Sequence, residues 1–227
     1  MIQALTKEKI RGSEDTTFLP PAERPPGNGG GDRPADPGPA SSGGPILGNA
    51  QLAMLVVIVA ELMFFAGIVG AFIVFRFSGQ AWPPPFQPRL PVAITAVNTL
   101  FLLASSYTFI QAHRGLRQGD TAKLFAYLSV TCGLGALFLT IQGYEWIRML
   151  SFGLRLSSGV YASTFYTIIG AHALHVFFAV IWLLTVLVRT RLGHFSPERH
   201  VGVTTCGMYW HLVVGLWPVL FFLVYLM

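Results

Sequence analysis

Charged side chains are scarce in this sequence, and their scarcity excludes most soluble folds. Asp, Glu, Lys and Arg together make up 11% of the 227 residues, whereas about a quarter is usual for a soluble domain. Hydrophobic residues make up 53%. A chain with so few groups suited to water has to place much of its surface in lipid, so the composition predicts a membrane protein.

Cysteine is also nearly absent. Cys132 and Cys206 stand alone, without a C-x-x-C or C-x-x-C-H pattern. Their isolation argues against a disulfide framework, a zinc knuckle and covalently attached haem. The net charge of +5 comes from basic residues in short loops rather than from a basic patch, so nucleic-acid binding is not indicated.

Long apolar runs dominate the rest of the chain. They cover residues 50–75, 92–112, 124–146, 161–188 and 201–227. Each reaches the roughly 20 residues that a helix needs to cross about 30 Å of hydrocarbon. The runs lack the alternation that strands of a membrane barrel show. The sequence therefore predicts an all-α integral membrane fold, with a five-transmembrane-helix bundle over residues 49–227.

The amino-terminal segment has a different composition. The first 49 residues hold nine Gly, eight Pro and charges of both signs. Such a segment cannot bury enough apolar surface to offset its ordering entropy, which predicts a flexible, disordered extension over residues 1–48. It lacks a short apolar core after a basic start and contains six acids, so it is neither a signal peptide nor a transit peptide.

The loop cations predict the orientation of the chain. On the side of the amino terminus the loops carry Arg114, Arg117, Lys123, Arg189, Arg191 and Arg199. On the other side they carry Arg76, Arg89, Arg148 and Arg155. Because cytoplasmic loops hold the excess of Lys and Arg, we expect a cytoplasmic amino terminus and an external carboxyl terminus.

A lone carboxylic acid, Glu61, lies near the middle of the first apolar run. One acid at the membrane centre costs about 2.5 to 3.5 kcal/mol, which the surrounding Leu, Ile, Val and Phe residues offset. Ionisable groups inside membranes face a bundle or a partner rather than lipid, so Glu61 is a candidate functional site. The alternative is an acid that is hydrogen-bonded inside the bundle and serves packing.

Two histidines, His172 and His175, share a face of the fourth predicted helix at mid-membrane depth. Ser163, Thr167 and Ala171 continue the face of His175 at four-residue spacing, a pattern that favours close helix approach. A metal site needs three or four ligands with supporting hydrogen bonds, so we expect these histidines to make structural contacts between helices.

Two further polar residues are candidates for contacts within the bundle. Glu145 ends the third apolar run, where water solvates an acid at little cost and where Arg148 or another loop cation can pair with it. His211 follows Tyr209 and Trp210 early in the last run, as in an interfacial aromatic belt.

From about residue 51 to residue 227 the chain resembles subunit III of the haem-copper oxidases, in its short five-helix bacterial form. Together, in this order and spacing, the shared motifs are specific. They are 61–67 (ELMFFAG), 82–84 (WPP), 142–145 (QGYE), 159–165 (GVYASTF), 170–176 (GAHALHV) and 209–211 (YWH).

The resemblance implies a non-catalytic subunit without haem, copper or another metal, packed with subunits I and II of a proton-pumping terminal oxidase in a bacterial plasma membrane. Haem and copper are then expected in the partner subunits, and cytochrome c as the electron donor. Glu61 matches the family's buried glutamate, which is associated with fast proton uptake. Arg189 is a candidate ligand for the headgroup of a structural phospholipid. Membership of a respiratory supercomplex is compatible with this reading.

Four other functions remain open at the level of sequence. The resemblance also fits the equivalent subunit of a quinol oxidase or of a nitric oxide reductase, because the donor and acceptor sites lie on other subunits. A small proton-coupled transporter centred on Glu61 would need its own polar path, for which Asn98, Ser105 and Ser106 are candidates. A di-haem cytochrome would need paired histidines on facing helices.

Overall fold

The computed structural model describes residues 48–78, 92–153, 159–196 and 198–227. The predicted amino-terminal extension, apart from Gly48, lies outside the described residues, as does the motif at 82–84.

The described residues form five long helices and no strand. The helices are α1 (Asn49–Arg76), α2 (Val92–Arg117), α3 (Thr121–Ser151), α4 (Val160–Arg191) and α5 (Val201–Phe221), which continues into a π-helical turn (Phe222–Leu226). All five are long and apolar enough to cross a membrane. The predicted five-helix membrane fold is therefore confirmed.

A tight turn joins α2 to α3 and fixes them as an antiparallel pair. Gly119 has a φ of 73°, a left-handed conformation that glycine adopts without strain. Asp120 then caps α3, since its carboxylate accepts a hydrogen bond of 2.8 Å from the backbone N–H of Lys123. The short connection brings α2 and α3 into contact along much of their length.

Helices α2, α3, α4 and α5 form a ring in which each packs on its neighbours and α5 closes back on α2. Helix α1 packs outside the ring, against α4 and α5. The indoles of Trp210 and Trp217, both on α5, are fully buried in the core of the ring. By contrast, α1 buries only Met54, Phe65 and Phe72.

Two glycines permit the close approach of helices inside the ring. A Cβ atom at Gly135 on α3 would lie 2.6 Å from Cη2 of Trp210. A Cβ atom at Gly207 on α5 would clash with the ring of Phe109 on α2. Absence of a side chain at these positions therefore lets large aromatic rings fill the space between helices.

Buried polar side chains tie α2 to its neighbours. Asn98 Nδ2 donates to the carbonyl oxygen of Phe138 on α3 at 3.1 Å. Trp217 Nε1 on α5 donates to the hydroxyl of Thr99 at 2.8 Å. Hydrogen bonds of this kind hold helix pairs together where no water competes for the donors.

Candidate functional site

The candidate site lies between α1 and α4, where Glu61 meets His175. Glu61 lies near the midpoint of the 28 residues of α1, and His175 lies near the midpoint of the 32 residues of α4. Their side chains touch: Glu61 Oε2 is 2.9 Å from His175 Nε2. The two groups are thus hydrogen-bonded close to the middle of the membrane.

A second hydrogen bond fixes where the imidazole of His175 carries a hydrogen. Its Nδ1 lies 2.6 Å from the backbone carbonyl oxygen of Ala171, one turn earlier on α4. A carbonyl oxygen only accepts, so Nδ1–H is the donor. The bond between Nε2 and Glu61 then contains one proton, held either by a carboxylic acid or by an imidazolium opposite a carboxylate. In both arrangements the pair has no net charge.

Two aromatic rings of α1 pack against the paired imidazole. The ring centroids of Phe64 and Phe65, consecutive residues of α1, lie 5.9 and 5.1 Å from that of His175. Rings around a hydrogen bond exclude water and lower the local dielectric, which strengthens the electrostatic part of the bond.

A small cavity joins the pair to His172 and to α5. It has a volume of about 10 Å³ and is lined by Glu61, His172, His175 and Tyr209 together with apolar residues. Such a space is close to the smallest that holds one water molecule. Four titratable side chains from three helices thus surround a single water-sized volume.

His172 is the most buried member of this group, with 1% of its surface exposed. Its imidazole stacks on the indole of Trp217, with ring centroids 5.0 Å apart. Neither ring nitrogen has a hydrogen-bond partner among the described residues. Burying a polar group without a hydrogen bond is costly. The stacking on Trp217 and the surrounding packing therefore have to offset that cost.

The structure corrects the prediction for Glu145, which is 3% exposed. The acid neither faces solvent nor pairs with Arg148, whose guanidinium lies over the ring of Phe152 at 5.6 Å. Helix α3 continues to Ser151, so residue 145 falls within the helix on its buried face. Gln142, one turn earlier on that face, donates to the hydroxyl of Tyr225 at 3.3 Å.

The interfacial position predicted for His211 is also wrong. This residue lies ten positions after the start of α5, about 15 Å along the helix. Its Nδ1 is 2.6 Å from the hydroxyl oxygen of Ser106 on α2. His211 therefore links α5 to α2, away from the pair formed by Glu61 and His175.

The comparisons with known proteins cover the whole membrane part of the chain. The family model described as cytochrome c oxidase subunit III matches residues 45–227. The cytochrome c oxidase subunit 3 of the cyanobacterium Synechocystis sp. is 36% identical over 79% of this chain and 78% of its own length. The proteins of that name from Thermostichus vulcanus and Ornithorhynchus anatinus are 33% and 34% identical, over 78% and 77% of this chain and 86% and 68% of their own lengths.

The chain belongs to the cytochrome c oxidase subunit III family. It is thus a subunit III of a haem-copper oxidase, an oxidoreductase complex of the respiratory chain. As such it is a multi-pass membrane protein that associates with other oxidase subunits. The resemblance inferred from the motifs is confirmed.

In this subunit III, the described residues contain no group of three or more His, Cys, Asp or Glu side chains placed to hold a metal ion. His172 and His175 lie on the same helix, and His211 is bonded to α2. The candidate lipid ligand Arg189 is exposed near the end of α4.

Sequence reasoning placed Glu61 and His175 at mid-membrane depth but did not pair them in this subunit III. Their equal depth could have indicated the pairing, because polar groups at the centre of adjacent membrane helices are stabilised by a hydrogen bond between them. The sequence did not predict that α1 and α4 are adjacent, because two other helices separate them along the chain.

Proposed function

We propose that this subunit III is a non-catalytic, cofactor-free component of a proton-pumping terminal oxidase that transfers electrons from cytochrome c to dioxygen. Its role is to stabilise the catalytic subunit and to support proton uptake through Glu61. The observation that carries the proposal is the hydrogen bond between Glu61 and His175 at mid-membrane depth.

The position of the pair supports a role at a subunit boundary. The Glu61 side chain is 24% exposed and that of His175 19% exposed on the surface of this chain. An ionisable pair at that depth is unfavourable against lipid and favourable against a protein partner. We infer that the open side of the pair faces another oxidase subunit.

The pair can gain or release a proton with little rearrangement. The shared proton moves between Oε2 and Nε2 along a bond of 2.9 Å without changing the charge of the pair. The hydrogen bond from Nδ1 to Ala171 keeps the imidazole oriented during that movement. The proton on Glu61 is therefore already positioned for transfer to a neighbouring acceptor. Rapid proton supply requires such positioning.

The test replaces the carboxyl in two ways. Glu61→Gln keeps the shape and a hydrogen bond to His175 but cannot release a proton, whereas Glu61→Ala also leaves a cavity. We expect Glu61→Gln to lower oxidase turnover or to shorten the active lifetime of the enzyme while subunit III stays bound. Glu198→Gln, which makes the same chemical change in an exposed loop, is the matched control.

Turnover, its decay with time and subunit retention are measured on the purified complex. A fully active, long-lived Glu61→Gln variant would rule out the proton role. If only Glu61→Ala is impaired, and it loses subunit III, the acid serves packing instead.

The remaining candidate residues have supporting roles in the proposal. His211 bonds to Ser106 and His172 stacks on Trp217 inside the bundle, where Glu145 is also buried. The exposed Arg189 is proposed to bind a phospholipid headgroup. No redox step takes place in this chain, because the haem and copper centres belong to partner subunits I and II.

The proposed location is a bacterial plasma membrane. The amino terminus is cytoplasmic and the carboxyl terminus external, in accord with the excess of loop cations on the amino-terminal side.

Cytochrome c is proposed as the electron donor because the relatives are named as cytochrome c oxidase subunits. A quinol oxidase and a nitric oxide reductase remain the alternatives within the haem-copper enzymes. Oxidation of reduced cytochrome c by the purified complex, compared with oxidation of a quinol and with reduction of nitric oxide, decides among the three.

A transporter centred on Glu61 receives less support, because the side chains that its path would use do not line the cavity beside Glu61 and make hydrogen bonds elsewhere. Asn98 donates to α3. Ser105 donates to the carbonyl of Leu102 on its own helix, and Ser106 is bonded to His211.

A further inference from the structure

A basic groove lies between the carboxyl-terminal part of α2 and the amino-terminal part of α5. It has a volume of about 360 Å³, within the range of roughly 300 to 1,000 Å³ that is usual for small-molecule sites. Arg114, Arg117 and His113 line one end, while Phe109, Ile110 and Met208 contribute an apolar wall. The groove involves neither Glu61 nor Arg189.

The floor of the groove is rigid. Gly207 lies directly against the ring of Phe109, which is 2% exposed and has little room to move. The ring of His211 packs edge-on against the same phenylalanine, with centroids 5.5 Å apart, and is tied to α2 by its bond to Ser106. The groove is therefore built by the packing of α2 on α5.

The basic end of the groove carries charge that no acid in the described part of the chain neutralises. Neither Arg114 nor Arg117 lies within ion-pair distance of a carboxylate there. Asp120, which follows them in sequence, caps α3 through the backbone of Lys123. His113 has Arg117 and His200 as its electrostatic neighbours, and both are basic.

An apolar track leads from this basic end towards the centre of the membrane. Leu103, Tyr107 and Ile110 are 42%, 61% and 41% exposed, and their spacing puts them on the same face of α2 as Arg114 and Arg117. The stretch from residue 114 to residue 103 is about 16 Å long. That is about half of the roughly 30 Å hydrocarbon thickness, the depth that the acyl chain of one leaflet occupies.

We propose that this groove binds one anionic phospholipid. Its phosphate pairs with Arg114 and Arg117, and an acyl chain follows Phe109, Ile110 and Tyr107 into the membrane. Cations at the carboxyl end of α2 are also favoured by the helix dipole. The dipole does not explain why a cavity lies beside these cations or why the same helix face carries an exposed apolar track. The groove matches a ligand with a negative head and an apolar tail.

The test measures phospholipid binding to the complex that contains the full-length chain. The detergent-solubilised complex is delipidated and titrated with palmitoyl-oleoyl-phosphatidylglycerol, and bound lipid is counted by native mass spectrometry. The Arg114→Gln/Arg117→Gln variant should lose one tightly bound lipid, with affinity at that site reduced about 30-fold, or about fivefold for each cation removed.

The control variant, Arg191→Gln/Arg199→Gln, removes two exposed cations from the same side of the molecule but outside the groove. It should retain the lipid. A third variant, Ile110→Trp, fills the apolar part while leaving both arginines in place, and it should also weaken binding. Ile110 is exposed, so this change does not disturb the core.

Three results would overturn the proposal. The first is equal binding of phosphatidylglycerol by the wild type and the Arg114→Gln/Arg117→Gln variant. The second is equal affinity for palmitoyl-oleoyl-phosphatidylcholine, which would remove the role of the anionic head. The third is normal lipid binding by Ile110→Trp together with full displacement of the lipid by inorganic phosphate, which would identify a site for free phosphate. Lipid counting does not depend on oxidase turnover, so failure of this inference and failure of the proposed function are distinguishable.

Discussion

At the scale of single residues, the structure accounts for how α1 carries an acid into the membrane. Glu61 would cost about 2.5 to 3.5 kcal/mol at the bilayer centre on its own. A hydrogen bond to a potentially charged partner contributes about 1.5 to 3 kcal/mol, and His175 is placed to supply it. The hydrogen bond between the carboxyl and the imidazole therefore offsets much of the cost of placing the acid at that depth.

This reasoning predicts that the two residues are energetically coupled. His175→Ala leaves the Glu61 carboxyl without its partner, so it should lower the stability of the subunit by about 1 to 3 kcal/mol. In a Glu61→Leu background the same change should cost less, with a coupling energy of about 0.5 to 3 kcal/mol. Thermal unfolding of the detergent-solubilised protein measures all four corners of the cycle.

His194→Ala, which removes an exposed imidazole from the loop before α5, is the control and should have no effect. Additive effects of the Glu61 and His175 substitutions would show that the contact contributes no stability.

The sequence predicted Glu61 as a candidate site because depth within one helix follows from counting residues. Its partner was not predicted, because pairing depends on which helices touch. The same limit applies to Ser106 and His211, whose helices α2 and α5 are separated along the chain by α3 and α4.

At the scale of helices, α5 is the element on which the bundle depends most. It contacts α1, α2 and α4, and it contributes the two fully buried tryptophans of the described residues, Trp210 and Trp217. Trp217 bonds to Thr99 on α2 and stacks on His172 of α4. Any change that lifts α5 from α2 should therefore disturb the whole ring.

Gly207→Ala should make that change. The added methyl group would clash with Phe109, whose buried ring is held by His211 and cannot swing away. Overpacking of this kind costs about 1 to 3 kcal/mol, and thermal unfolding with retention of the subunit on the complex measures it.

Gly215→Ala is the matched control on the same helix. Nothing lies within 4 Å of a Cβ atom built there, and alanine favours helix over glycine by up to about 1 kcal/mol. Its stability should be unchanged or slightly raised. Equal losses in the two variants would mean that helix propensity, rather than contact with Phe109, sets the effect.

Apolar runs predicted the number of helices well and their ends less well. The third run stops at residue 146, whereas α3 continues to Ser151. The reason is that Arg148 and Ser151 interrupt the hydropathy without interrupting the helix, since polar side chains near a membrane surface reach the interface. The misplaced end led directly to the wrong environment for Glu145.

At the scale of the whole molecule, the match to the family model begins at residue 45. The preceding residues are rich in Gly and Pro and have no apolar periodicity. Removal of residues 1–45 should therefore leave assembly and oxidase turnover nearly unchanged. Subunit composition and turnover of the purified complex provide the measurement.

A longer truncation to residue 65 serves as the comparison, because it removes Glu61 and the first half of α1. It should impair assembly or turnover. If the shorter truncation alone abolishes assembly, the extension docks to a partner.

The peripheral position of α1 has a consequence for the synthesis of the chain. Its carboxyl emerges more than a hundred residues before the imidazole that binds it. At the usual pace of translation that interval lasts on the order of 10 s. During those seconds α1 resides in the membrane with an acid at its centre and no partner from its own chain. The apolar residues of α1 thus have to keep the helix inserted in the membrane during synthesis, before any tertiary contact exists.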